Sequence, residues 1–135
     1  MNRRPSPDID AAMVLGMAST AIPFAISPEA EAERWLRILR LHGEAGAALQ
    51  ALGVSEGPLE ASEQHAAGAG AGQDAVDRVG EIACAAATRR GGDCFGTVDV
   101  LRAVIEVYGE DFDRVLRAHG TDRAEVLERL EPLAA

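Results

Sequence analysis

Apolar positions recur along this chain at the three-to-four-residue spacing of helices, interrupted at intervals by Gly and Pro. Over residues 8–22, Ala11, Val14, Leu15 and Ala18 make one stripe, which Asp8 or Asp10 opens and Pro23 stops. Ser27-Pro28-Glu29 reads as an N-cap, a proline at the first helical position and an acidic first turn. It predicts a helix with Trp35, Leu36, Ile38, Leu39 and Leu41 inward, ending at Gly43. A short helix follows over 44–52, using Ala45, Ala48, Leu49 and Leu52 and closed by Gly53, and residues 55–64 have room for another. Residues 65–73, HAAGAGAGQ, offer nothing large to bury and read as a linker.

Beyond the linker the rhythm returns. An Ala-rich helix is predicted over 75–88, with Val79, Ile82, Ala83 and Ala86 on one face, and Arg89-Arg90-Gly91-Gly92 closes it. Thr97 is the expected N-cap of a helix through Tyr108, with Val98, Leu101, Val104 and Ile105 inward and Gly109 at its end. Phe112, Val115 and Leu116 then mark a short helix ended by Gly120, and Thr121-Asp122 opens a last one over 123–130.

The second half thus repeats the first. Trp35, Ile38 and Leu39 return as Leu101, Val104 and Ile105, Gly43 returns as Gly109, and the corner Leu52-Gly53-Val54 returns as His119-Gly120-Thr121. A unit this small cannot bury both faces of its helices, so two copies are expected to pack on each other about a pseudo-two-fold axis. The expectation is an all-α domain over residues 8–131, with repeat one at about 8–64, a linker at 65–73 and repeat two at about 74–131, flanked by tails at 1–7 and 132–135.

Charge narrows the partners. With 22 acidic against 13 basic residues the formal net charge is -9, a field that repels nucleic acid and anionic membrane surfaces. All the basic residues are Arg. Neither a secretory signal nor a membrane span is read at the N-terminus, and the two cysteines, Cys84 and Cys94, fit neither a disulfide scaffold nor a zinc spacing. A cytoplasmic protein without metal or cofactor is the expectation. No convergent acid, base and nucleophile set is visible, so no catalysis is expected.

The second copy carries Cys84-Ala85-Ala86-Ala87, Gly96-Thr97-Val98-Asp99-Val100-Leu101, Tyr108-Gly109-Glu110 and Val115-Leu116-Arg117-Ala118-His119-Gly120. The first carries Trp35-Leu36-Arg37-Ile38-Leu39, Gly43-Glu44-Ala45-Gly46-Ala47-Ala48-Leu49 and Leu52-Gly53-Val54. In this order the segments resemble the double Clp repeat, the N-terminal domain of the Clp ATP-dependent unfoldases. The resemblance spans about residues 8–131 and implies two pseudo-symmetric four-helix repeats that bind substrates and adaptor proteins and, in some bacterial branches, phosphorylated arginine. The chain has no phosphate-loop motif and no Lys to complete one, so a stand-alone module acting on a Clp unfoldase, adaptor or phosphoarginine-bearing substrate is expected.

The resemblance also suggests site residues. The family's phosphoarginine carboxylate lies in a Thr-Glu-His-like helix start; Glu33 or Glu29 takes that place in the first copy, whereas the second has Val98 with Asp99 beside it. A groove between the copies would set apolar walls below such a carboxylate, with Trp35 as core or, where exposed, as a protein contact. The alternative expectation is a regulatory or resistance protein that sequesters a hydrophobic ligand or peptide antibiotic in the same groove.

Overall fold

The computed structural model describes residues 4–54 and 72–133, and in them the chain is helical almost throughout. Asp8 accepts a hydrogen bond from the Ala11 amide (2.8 Å) and starts α1, Ile9–Ala21. Pro23 sits in a tight 3-10 turn, Ile22–Phe24, that ends it. Ser27 accepts from the Ala30 amide (3.1 Å) and, with Pro28 at the first helical position, sets α2, Pro28–Arg40. Next come α3, Gly43–Ala51, and α4, Gln73–Arg89, then α5, Thr97–Tyr108, α6, Glu110–Ala118, and α7, Arg123–Leu130.

Two short extended pieces complete the frame. β1, Ser6–Pro7, runs parallel to β2, Cys94–Phe95, and the Asp8 amide donates to the Phe95 carbonyl (2.9 Å). Residues 6 and 7, expected in a tail, therefore hold the stretch ahead of α1 against the loop ahead of α5. The linker reading also shifts, because Gln73 already belongs to α4. Residues 65–71 of that linker, and the helix expected over 55–64, lie outside the described residues.

The α5 start moves by one residue. Gly96 is the N-cap and Thr97 the first helical residue. The Gly96 amide donates to Asp99 Oδ2 (3.1 Å), and the Thr97 hydroxyl is used elsewhere: its Oγ1 accepts from the Ala45 amide (3.1 Å), capping α3 on another part of the fold. Thr is a good cap, and here it caps a helix 52 residues away.

Two corners share one geometry. The Leu52 amide bonds back to Ala48 and Leu49, Gly53 to Gln50, and Val54 to Leu49; the His119 amide bonds back to Val115 and Leu116, Gly120 to Arg117, and Thr121 to Leu116. Gly53 (φ 91) and Gly120 (φ 88) supply the left-handed residue that such helix ends require. One apolar cluster then runs through the molecule, from Ala11 and Val14 through Trp35, Leu39 and Leu49 to Leu101, Phe112 and Leu130. Within it α4 lies along α5, α2 packs on α6 and α3, and α3 packs on α5. No described helix is long and apolar enough to cross a membrane.

Candidate functional site

Apolar packing brings α2 against α6 and α5, and the polar groups carried inward there must find partners or forfeit stability. Glu31, only 1% exposed, does so through Tyr108, whose hydroxyl donates to Oε1 (2.7 Å) and accepts from Trp35 Nε1 (3.0 Å). The Gly72 amide donates to Oε2 (3.3 Å). Burial, and then the neighbouring carboxylate, push the Tyr108 phenol above its ordinary range, so it stays protonated and cannot act as a base at neutral pH. This chain of bonds fastens α2 to the end of α5.

Glu33, 4% exposed, lies two residues further along α2. Arg37 Nε donates to its Oε2 (2.6 Å), and His119 Nε2, in a side chain almost wholly buried at the end of α6, lies 3.1 Å from the same oxygen. Asp99, 7% exposed, takes a two-pronged bond from Arg90 at 2.7 and 2.6 Å. That bond raises the Arg90 pKa and holds the end of α4 on the start of α5. Glu29 is half-buried and accepts from Arg114 Nε (3.0 Å), which also contacts Asp111.

The expected binding residues are therefore placed as follows. Trp35 is core with no exposed surface, Val98 is buried, and Glu33 lies beneath the surface rather than at a groove rim. Trp35 and Glu33 stand on α2 among residues of α5 and α6, whereas Asp99 is occupied in its own ion pair at the start of α5. Each carboxylate marked for an arginine ligand already holds a cation of the chain, and only Glu29 of the three reaches solvent to any extent.

What periodicity alone did not single out is the outward side of α1. Its inner face is Ala11, Val14 and Ala18; on the other side Ile9 (81% exposed), Met13 and Met17 stand in water, and past the helix end Phe24 (76%) and Ile26 are exposed as well. The hydroxyls that could have made this side polar are turned back on the helix, Ser19 donating to the Leu15 carbonyl (3.0 Å) and Thr20 to that of Met17 (2.9 Å). A helix apolar all round is normally enclosed, and this one is enclosed on one side only. The signal was present in the sequence as Ile9, Met13 and Met17 at four-residue spacing opposite the stripe already noted.

Elsewhere, an open depression of about 380 Å³ lies between α3 and α7, lined by Ala47, Ala48, Ala51, Glu44, Arg129 and Pro132, and contains none of the expected site residues. Among the described residues no three metal-ligating side chains gather. Cys84 is buried, its thiol 3.5 Å from the Pro5 carbonyl, and Cys94 is exposed; both are free. No family model, no curated protein and no solved structure matches the chain.

Proposed function

We propose that the chain is a non-catalytic protein-binding module, built as two Clp-like repeats, that holds unfolded or partly folded polypeptide on the apolar outer face of α1 and the adjoining Phe24 and Ile26. That face is the observation that carries the reading: soluble chains seldom leave so many large apolar side chains together in water without a partner for them. The repeat reading draws on the succession of helices of 13, 13 and 9 residues, α1 to α3, answered by 17, 12 and 9, α4 to α6. It draws also on the two matching corners at Gly53 and Gly120 and on the crosswise packing of α2 on α6 and α3 on α5.

The acidic residues Glu29, Glu33 and Asp99 and the arginines paired with them, Arg114, Arg37 and Arg90, are fasteners. They fix the framework from which α1 presents its face, and the binding energy comes from apolar burial. Such a module would serve protein quality control or regulated proteolysis by holding a client or adaptor for an unfoldase. Modified arginine, if recognised, would meet Glu29, the carboxylate with solvent access.

The test is an anisotropy titration with fluorescein-labelled, reduced and carboxymethylated casein, alongside a phosphoarginine peptide and its unmodified counterpart. The casein is expected to bind saturably, and Met13→Glu with Met17→Glu to weaken it by roughly tenfold or more, as removal of central contacts does. A wild-type chain that retains neither casein nor the phosphoarginine peptide would overturn the reading.

A further inference from the structure

We infer that a second copy of this chain is the resting occupant of the α1 face, so that the module is stored as a two-fold dimer and opens to take a client. This rests on the reading of that face as the binding surface and adds the partner that covers it.

Three observations point to a copy of the chain itself. The first is area. Ile9, Met13, Met17, Phe24 and Ile26 together expose roughly 600 Å², taking about 200 Å² for a large side chain fully in water. A standard interface buries about 800 Å² per partner, so the patch supplies most of one side and the neighbouring polar rim can supply the rest.

The second is charge. Two chains of net charge -9 repel each other over most of their surfaces. Along the thirteen residues of α1, Asp10 is the only charged side chain, so this is a face on which two copies can approach while bringing one like charge each.

The third is shape and bonding. An isologous contact needs a surface that fits itself. Ile9, Met13 and Met17 form a ridge, and Ala12, Gly16 and Thr20 run beside it as a furrow in which a Cβ on Gly16 would meet nothing within 4 Å. Two such helices, antiparallel, can seat each ridge in the other's furrow. Because Ser19 and Thr20 bond to their own helix, burying the face strands neither hydroxyl.

Sedimentation velocity on the full chain, from about 1 µM to about 1 mM, reads the equilibrium directly. Wild type should shift from monomer to dimer across that range. Met13→Glu with Met17→Glu should stay monomeric throughout, with unchanged far-UV circular dichroism and with the melting of wild type at the lowest concentration, where both are monomers, since both side chains lie outside the core. Ile9→Glu, at the most exposed ridge position, gives the same test if the double variant folds poorly. A wild type monomeric at every concentration, or variants that dimerise as well as wild type, would overturn the inference. The casein titration separates the two levels: a monomeric wild type that binds casein removes the dimer and keeps the binding function, whereas a dimer that never yields to casein removes the function and keeps the dimer. Where both hold, apparent casein affinity should fall as the concentration of the module rises.

Discussion

Tyr108 uses its hydroxyl twice, once toward Glu31 and once from Trp35, and so carries a bond network out of proportion to its size. Tyr108→Phe would leave a buried carboxylate and an indole N–H short of a partner, and should lower unfolding free energy by about 2–3 kcal/mol in denaturant titrations. Its pH signature follows from the raised phenol. In the unfolded chain a tyrosine ionises near pH 10, and in the fold it ionises later, so the unfolded state loses its proton first. The stability it contributes is intact below about pH 10 and is lost as pH rises from there. Tyr108 is the only tyrosine in the chain, so tyrosinate absorbance should appear together with loss of helical signal rather than before it. The sequence marks Glu33 and Asp99 as acidic residues near helix starts. It does not show what holds them, because the partner of one, His119, comes from 86 residues away. Thr97 is the same lesson: its type announced a cap, and the helix it caps could be known only once α3 and α5 were side by side. Thr97→Val should expose that dependence by costing about 1–3 kcal/mol, read from the same titrations.

At the scale of elements, local chemistry made most helices legible. Ser27-Pro28, Asp122 and the glycines at 53, 109 and 120 are signals a chain carries within a few residues, and the observed ends fall within one or two residues of them. The outer face of α1 is not legible from periodicity, because a helix apolar on both sides has no preferred inside. Glycines within helices give a paired prediction. A Cβ at Gly80 in α4 would meet nothing within 4 Å, so Gly80→Ala should stabilise by about 0.5–1 kcal/mol, the ordinary gain of alanine over glycine in a helix. A Cβ at Gly46 in α3 would lie 2.7 Å from the Arg40 carbonyl and 2.9 Å from that of Leu39, both backbone, so Gly46→Ala should destabilise instead. Thermal melts of the two variants should move in opposite directions.

Across the whole molecule, the long-range bonds divide the work. The bonds of Thr97 with Ala45, Tyr108 with Glu31 and His119 with Glu33 join residues far apart in the chain, and so fasten α2 and α3 to α5 and α6. That leaves α1 with one face in the core and the other offered outward. The outward face is proposed as the place where a client protein binds. Besides Met1 the chain has only Met13 and Met17, which makes their methyl groups near-private reporters of that face. A methyl NMR titration of isotope-labelled methionine with carboxymethylated casein tests the claim most directly. The Met13 and Met17 signals should shift or broaden saturably, in step with the anisotropy isotherm; casein that binds while both signals stay where they were would place the client elsewhere.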